Sequence, residues 1–353
     1  MASDRSLAKA ISCVINRNDI RCDLLLLNPV KTALYKELKN SSCCNIYSLN
    51  TSTIYNPLLI LKLLPYIKIY DVIHIHLIPS LYWVVLAKLI EGSKTQLVYT
   101  EHTIIIKKRS KWVFRLLDRY IYSKIDKVIC VAHPVEESLR NHIKCTENKV
   151  VTIANGIPLE KFKNATAIRR DQFKFNPSHF IIVQASSFRP AKDQKTVIEA
   201  VKLLPKEFKV VFAGDGQNKT ECEKYVLENG VADRILFIGN YNNIPGLLAM
   251  ADVVVLSSHY EAFPLAVLEG MASQKPVIAS NVSGLAELVG NTGILFKKGN
   301  ARELADVLLK LKSDTAFYEK TSTRCYQKAS KYSLDNMAKN YIDIYKSLHE
   351  SSN

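Results

Sequence analysis

The sequence predicts an α/β protein with two doubly wound domains, each built on a parallel sheet. Short runs of Val, Ile and Leu recur along the chain, and segments with helical periodicity separate them. Uninterrupted apolar runs are typical of parallel strands that are buried on both faces. With 353 residues, of which 48% are hydrophobic, the chain can form two ordinary domains and is not globally disordered.

The predicted strands fall into two series. The first comprises 23–28, 71–77, 95–100, 126–132 and 149–155, and the second 179–186, 208–214, 234–240, 251–258, 275–281 and 292–298. Helical periods lie between the strands, as at 195–204 and 301–312. Because the polar segment 158–179 separates the series, we place the first domain at 1–162 and the second at 163–330. Residues 331–353 form a C-terminal amphipathic helix that could pack back on the first domain.

The positive charge is concentrated in the first half of the chain. The net charge is +15, and residues 1–163 hold 24 Lys and Arg against 13 Asp and Glu, whereas the rest holds 24 against 20. Such a surface favours an anionic partner: nucleic acid, a phospholipid surface or a phosphorylated substrate.

The densest basic segment, 106–124, has two interpretations as a helix. Its basic stripe is Lys108, Lys111, Arg115 and Arg119, and its opposite, apolar face is Val113, Leu116, Leu117, Tyr120 and Ile121, with Trp112 at the border. The stripe could seat the domain on anionic lipid. Alternatively, the apolar face packs inward and the stripe is merely solvated.

The composition predicts a cytoplasmic protein. The eight cysteines form no C-x-x-C pair, which is typical of a reducing compartment. No apolar run of signal-peptide type opens the chain. The most apolar stretch, 77–90, contains Lys88 and is shorter than the ~20 residues that span a bilayer. Any membrane contact is therefore expected to be peripheral, on the inner face of the cell membrane.

Two glutamates in "SSHYEAFPLAVLEG", residues 257–270, form the first candidate site. Glu261 follows the strand 251–258. Seven uncharged residues separate it from Glu269, which lies within a predicted helix. Ligands of parallel sheets bind at the carboxyl ends of strands. Glu269 could accept two hydrogen bonds from a ribose diol. Alternatively, one glutamate caps the helix and the other lies on its surface.

The same helix start is suited to an anion. Pro264 fits the first turn of a helix, where its missing N–H has no consequence. The free backbone N–H groups of Leu265 and Ala266 could then face a phosphate. The neighbouring Phe263 is included in this predicted donor site.

Two further strand ends carry candidate residues. Arg189 and Lys192 follow the strand 179–186 and precede a helix, which suits a diphosphate, although a solvated basic loop is equally compatible. Gly214 ends the strand 208–214, either as part of the site or as an ordinary turn. In the first half, His102 follows the strand 95–100, and His74 is expected to be a packed core histidine.

The stretch 242–289, with its two glutamates between "ADVVVLSS" and "GMASQKPVIAS", resembles the retaining glycosyltransferases of family four. The resemblance covers nearly the whole chain. It implies a GT-B fold, in which two Rossmann-like domains face a central cleft, and a nucleotide-sugar donor. It also implies that Glu261 contacts the transferred sugar, that Glu269 holds the nucleotide ribose and that His102 faces the donor sugar.

The resemblance further implies that Arg189 and Lys192 bind the donor diphosphate. Here the chain departs from the commoner pattern, which has Arg at the position of Ser187. Lys192 matches the pattern well. Since no D-x-D occurs in the chain, we expect no metal and no other cofactor.

The expected activity is retaining transfer of a hexose or N-acetylhexosamine from a UDP- or GDP-linked donor to a lipid-linked or surface-polysaccharide acceptor. Two alternatives are open: a sugar-nucleotide epimerase of the same fold, and a basic, non-catalytic binding module. No nucleic-acid recognition motif accompanies the charge, so we expect no nucleic-acid partner.

The start of the chain departs from the resembling family, whose members open with an apolar strand and a Gly-Gly loop. Here the sequence begins near Asp4 and enters the following helix directly, so the first strand is expected to be missing. We expect an N-terminal truncation, through a misassigned start or a gene lesion, and weak activity. The alternative is a diverged enzyme that functions without the loop.

Overall fold

The computed structural model of the chain describes residues 20–27, 45–51, 53–104, 111–144 and 147–351. These residues divide into two compact units. The first runs up to Gly156 and resumes at Leu334, and the second is Ile157–Ser333. The observed boundary, between Gly156 and Ile157, lies a few residues before the boundary predicted from the sequence at 162/163. The segment between the two boundaries belongs to the second unit because Phe162 is buried in the core of that unit.

The first unit contains a four-stranded parallel sheet and a separate parallel pair. Its strands are β1 (Leu24–Leu26), β2 (Ile46–Ser48), β3 (Val72–His76), β4 (Gln96–Glu101), β5 (Lys127–Cys130) and β6 (Val150–Thr152). Before the C-terminal helix, the described residues of this unit form the helices α1 (Leu59–Ile69), α2 (Ser80–Glu91), α3 (Trp112–Ser123) and α4 (His133–Ile143). The order of the larger sheet is β3-β4-β5-β6, and β1 pairs with β2. Because β4 and β5 are central, their apolar side chains are almost fully buried.

The second unit contains a six-stranded parallel sheet. Its strands are β7 (Phe180–Ala185), β8 (Phe208–Ala213), β9 (Ile235–Phe237), β10 (Val253–Leu256), β11 (Val277–Ser280) and β12 (Ile294–Phe296). Its helices are α5 (Leu159–Lys163), α6 (Gln194–Lys202), α7 (Lys219–Glu228), α8 (Ile244–Met250), α9 (Leu265–Ala272), α10 (Ser283–Val289), α11 (Ala301–Ser313) and α12 (Thr315–Ala329).

The strand order of this sheet is β12-β11-β10-β7-β8-β9. The chain starts at the central strand β7, proceeds outward through β8 and β9, and then returns to the other side of β7 at β10. Between β7 and β10 the winding therefore reverses, and in doubly wound sheets ligands bind at the carboxyl ends of such a strand pair. The loops that follow β7 and β10, together with the helix α9 after the second loop, carry most of the predicted site residues.

The C-terminal helix α13 (Leu334–Glu350) packs on the sheet of the first unit. Its buried residues Met337, Ala338 and Tyr341 share a core cluster with Val98 and Ile129 of the central strands. The apolar stripe predicted from the sequence is thus the face that contacts the sheet.

The observed architecture confirms the predicted fold class, and each predicted strand has a counterpart. The short strand β2 was not predicted. The expected missing first strand concerns residues 1–18, which lie outside the described residues, so this stays a prediction. Among the residues that the structure describes, no helix is long and apolar enough to cross a membrane.

Candidate functional site

The loops after β7 and β10 meet in an ion pair between Lys192 and Glu261. The Lys192 ammonium contacts Oε1 of the Glu261 carboxylate, and the Ser258 hydroxyl donates to the same oxygen over 2.6 Å. Both charged side chains are largely buried, with exposed fractions of 23% and 11%. Since β7 and β10 are neighbours in register, the sheet itself brings the two loops together.

A buried hydroxyl fixes the loop that carries Lys192. The Ser257 hydroxyl lies 2.7 Å from the carbonyl oxygen of Asp193 and 3.1 Å from that of Lys192. Ser257 is fully buried at the end of β10, and its oxygen also lies 3.1 Å from the Gln184 side-chain oxygen on β7. These hydrogen bonds hold the loop after β7 against the end of β10, and they thereby fix the backbone that carries Lys192. Sequence reasoning did not single out Ser257 or Ser258, although two serines directly after a buried strand were a usable signal.

Two glycines permit close backbone approach around the ion pair. Gly214 has φ +143°, and a Cβ there would lie 2.0 Å from the Ser186 carbonyl oxygen. Gly284, near the start of α10, lies so close to the loop after β10 that its Cβ would be 2.3 Å from the Glu261 carbonyl oxygen. Neither position accommodates a side chain without movement of the backbone. Gly214 was a predicted site residue, and Gly284 was missed.

The helix α9 carries the second glutamate, Glu269. Pro264 directly precedes α9, so the helix begins at Leu265 and its first backbone N–H groups, including that of Ala266, have no partner within the helix. Gly270 brings α9 close to β10, since a Cβ on it would lie 2.9 Å from Val254. Glu269 is half-buried on this helix.

Two residues that were predicted to bind the donor substrate, Phe263 and Arg189, take no part in the Lys192–Glu261 ion pair. The ring of Phe263 is half-buried and lies 5.9 Å from that of Tyr332. Arg189 is exposed and lines an open pocket of about 310 Å³. The other lining residues are Pro190, Ala191, Gln217, His259 and Tyr260. Arg189 thus borders the loop of Lys192 without contacting Glu261.

His102 belongs to the first unit, where it follows β4. Its Nε2 lies 3.3 Å from Nδ1 of His76 on β3. The preceding Glu101 is buried, accepts a 2.9 Å hydrogen bond from Tyr122 and accepts two more from Thr103, so the turn around His102 is fixed on both sides. His102 is therefore held at the carboxyl end of the strand, as predicted from the sequence.

His74 is a packed histidine, as expected. Its Nε2 lies 2.7 Å from the Thr100 hydroxyl, and its Nδ1 contacts the Tyr345 hydroxyl of α13. Burial, with a smaller contribution from the charge of His102, lowers the pKa of His74 to about 3. Burial likewise lowers the pKa of His76 well below its ordinary value. Both rings are therefore neutral near pH 7.

Most of the predicted apolar face of the basic helix points to solvent, although Ile121 of that face is buried and Lys111 of the basic stripe is exposed. Leu116, Leu117 and Tyr120 of the predicted apolar face are exposed, whereas Arg115 and Arg119 of the basic stripe are half-buried. The reason is that Asp118 and Tyr122, on the same side as the arginines, form buried hydrogen bonds with the rest of the unit. Lys108 lies outside the described residues.

In the described ranges, no group of three or more His, Cys, Asp or Glu side chains could hold a metal ion. The charged residues at the ends of β7 and β10 are suited to an anionic ligand with hydroxyl groups. Lys192 and the start of α9 can face negative charge, and the two glutamates can accept hydrogen bonds.

Two family models match the chain. "Glycosyl transferases group 1" matches residues 166–332, which include the whole site at β7 and β10, and "Glycosyltransferase Family 4" matches residues 42–161. The two matches together cover most of the chain.

Curated relatives and solved structures agree with these models. The chain is 28% identical to the N-acetyl-alpha-D-glucosaminyl L-malate synthase of Bacillus anthracis, over 78% of this chain and 74% of that protein. It is also 28% identical to the UDP-Gal:alpha-D-GlcNAc-diphosphoundecaprenol alpha-1,3-galactosyltransferase of Escherichia coli, over 62% of this chain and 60% of that protein. The crystal structure of Anabaena HepE in complex with UDP and glucose has the same fold, with a TM-score of 0.84 at 19% identity, over 98% of this chain and 96% of that one. With both regions matched and the GT-B architecture in place, the chain belongs to the family-four type of glycosyltransferases.

Proposed function

We propose that this chain is a retaining, metal-independent glycosyltransferase that moves a hexose or N-acetylhexosamine from a UDP- or GDP-linked donor to a lipid-linked or surface-polysaccharide acceptor. The observation that carries the proposal is the Lys192–Glu261 ion pair at the reversal between β7 and β10. This pair places a cation and a carboxylate where doubly wound sheets bind ligands.

The two oxygens of Glu261 have different roles in this proposal. The hydrogen bonds that Glu261 accepts from Lys192 and from Ser258 both go to Oε1. These contacts fix the carboxylate, and Oε2 is then positioned to accept a hydrogen bond from a hydroxyl of the donor sugar. The sugar is oriented by a group that does not need to reorganise.

The leaving group is stabilised by positive charge. As the glycosidic bond breaks, negative charge develops on the donor diphosphate. The Lys192 ammonium and the N–H groups at the start of α9 are preorganised to stabilise that charge. Arg189 can add a second cation from the neighbouring loop. Glu269 accepts hydrogen bonds from the ribose, and His102 keeps the role toward the donor sugar that the family resemblance implies. Retention would follow from front-face attack of the acceptor.

The donor and acceptor classes are supported by the names of related proteins. HepE is described with UDP and glucose, and the Escherichia coli relative is named for a UDP-galactose donor and a diphosphoundecaprenol-linked acceptor. The positive charge of the first half of this chain suits an anionic, lipid-linked acceptor and a peripheral position at an anionic membrane surface.

A donor screen tests the proposal. The protein is incubated with a panel of UDP- and GDP-sugars, with and without undecaprenyl diphosphate-linked saccharides, and released nucleotide is measured. NMR of the product then gives its anomeric configuration. Acceptor-dependent release with retention is the expected result. Conversion of the donor into its epimer without transfer, or an inverted product, would contradict it.

A further inference from the structure

The outward face of α3 is apolar, and no other helix among the described residues exposes as many large apolar side chains. Trp112 is 74% exposed, Leu116 is 54% exposed and Tyr120 is 51% exposed. The remaining members of this face, the α3 apolar face, are Val113, Phe114 and Leu117. Contiguous exposed apolar side chains on a soluble domain indicate an interaction surface.

Buried polar contacts fix this orientation. Asp118, fully buried on the inner side of α3, accepts a 2.5 Å hydrogen bond from Tyr82 of α2 and lies 2.6 Å from Nε2 of His142 of α4. Tyr122, one turn later, donates to the buried Glu101. Rotation of α3 to bury its leucines would separate these groups from their partners, and a buried polar group left without a partner is destabilising. The apolar side is therefore held toward solvent.

The exposed charged side chains of the segment 111–124 are all positive. Asp118 is the only acidic residue in 111–124, and it is buried. Lys111 and Lys124 are exposed at the two ends of the helix, and the Lys124 ammonium lies 5.3 Å from the centroid of the Tyr120 ring.

We propose that the α3 apolar face inserts into the surface of an anionic bilayer. Leu116, Leu117 and Tyr120 would lie below the headgroups, with Lys111 and Lys124 at the level of the lipid phosphates. An apolar strip with Trp, Phe and Tyr, flanked by lysines and free of exposed acid, has the chemistry of an interfacial helix. The charge complementarity favours anionic lipid as the occupant over a second copy of this positively charged chain. This inference rests on the proposed function only for the idea that the acceptor is lipid-linked.

The two tryptophans give a direct readout. Trp83 donates its indole N–H to the Ile54 carbonyl oxygen within the first unit and is half-buried, whereas Trp112 lies on the α3 apolar face. The chain has only these two tryptophans, so in Trp83→Phe the emission reports on Trp112 alone. With phosphatidylglycerol–phosphatidylcholine vesicles we expect a blue shift and quenching by lipids brominated in the acyl chain. No shift and no quenching would overturn insertion.

A double variant tests the leucines. Leu116→Ser with Leu117→Ser should lower the vesicle partition coefficient at least ~tenfold, because each leucine loses favourable apolar transfer. Leu227→Ser with Leu309→Ser, on exposed positions of the second unit, is the matched control and should bind as wild type. Circular dichroism and thermal unfolding check that both variants fold. Equal binding by the α3 variant would overturn the proposal, as would a wild-type dimer that the α3 variant abolishes, since that result assigns the face to a second copy.

The result can be separated from the proposed function. Transfer to a detergent-solubilised acceptor should be unchanged in the α3 variant, because the substituted side chains lie in no part of the proposed site. If wild-type protein binds vesicles through α3 but transfers no sugar, the proposed function fails and the membrane inference stands. If it transfers sugar but the α3 variant sediments as wild type does, the inference fails alone.

Discussion

Lys192 and Glu261 form an ion pair that joins the loops after β7 and β10. The family resemblance assigns the lysine to the donor diphosphate and the glutamate to the donor sugar. In this chain the two groups contact each other directly, and Ser258 donates to the same carboxylate oxygen. Binding of the diphosphate and orientation of the sugar should therefore be energetically coupled.

A double-mutant cycle measures this coupling. We expect Glu261→Gln to reduce turnover more than nucleotide affinity, and Lys192→Met to reduce both. Because the residues are in contact, the two effects on UDP affinity should be non-additive by about 0.5–3 kcal/mol. Isothermal titration of UDP, or of GDP if the donor screen selects it, into the two single variants and the double variant gives the coupling energy. Additive effects would show that the pair does not act as a unit.

Glu269 is expected to bind the nucleotide rather than the sugar. Glu269→Ala should weaken binding of the free nucleoside diphosphate by about 1.5–3 kcal/mol, the range for hydrogen bonds to a charged group. Glu287→Ala is a suitable control, since Glu287 lies on α10 outside the proposed donor contacts. If Glu269→Ala binds UDP and GDP as wild type does, Glu269 does not hold the ribose.

Gly284 should be intolerant of any side chain, because its added Cβ would meet the Glu261 carbonyl oxygen. Gly284→Ala must move the loop after β10, and overpacking of this kind costs typically about 1–3 kcal/mol. We expect a lower melting temperature and a loss of turnover that exceeds the loss of folded protein. Ser283→Ala, at the exposed neighbouring position, should change neither. Normal turnover in Gly284→Ala would mean that the Glu261 loop adapts.

The proposed reaction should continue in the presence of EDTA. Lys192 and the N–H groups at the start of α9 provide positive charge for the diphosphate, and the sequence contains no D-x-D to hold a metal against it. Released nucleotide is measured in protein treated with EDTA and then dialysed. Loss of turnover that manganese or magnesium restores would contradict metal independence.

The sequence was sufficient to predict the strands and the loops of the candidate site. Long Val, Ile and Leu runs such as 251–258 determine buried parallel strands, and parallel strands bring the residues after their carboxyl ends to one edge of the sheet. Glu261 and Lys192 were therefore predictable as neighbours. Their direct contact was not, because it depends on loop positions that Ser257 and Gly284 determine through tertiary contacts.

The orientation of α3 could not be predicted from the sequence. Periodicity shows that the helix has an apolar and a basic side, but it does not show which side packs inward. Here the buried partners of Asp118, contributed by Tyr82 and His142 from other helices, decide the orientation. The strand β2 was missed for another reason, since three residues of mixed composition carry no period that distinguishes a strand from a loop.

His74 should make the first unit sensitive to acid. Its folded pKa of about 3 lies below the ordinary value of 6.5, so the unfolded chain binds this proton first as the pH falls. Well above pH 6.5, His74 is neutral in both the folded and the unfolded state, so its protonation does not lower the free energy of unfolding. Between about 6.5 and 3 the unfolded state is favoured by protonation, and the free energy of unfolding should fall by about 1.4 kcal/mol per pH unit for this one residue. His76, whose pKa is also lowered, adds a loss of the same sign.

Urea unfolding between pH 7.5 and 5, above the range in which most carboxylates titrate, measures how steeply the free energy of unfolding falls with pH. His74→Gln should reduce this slope. If the free energy of unfolding is constant over this interval, or if His74→Gln has the wild-type slope, His74 is not held neutral by its burial.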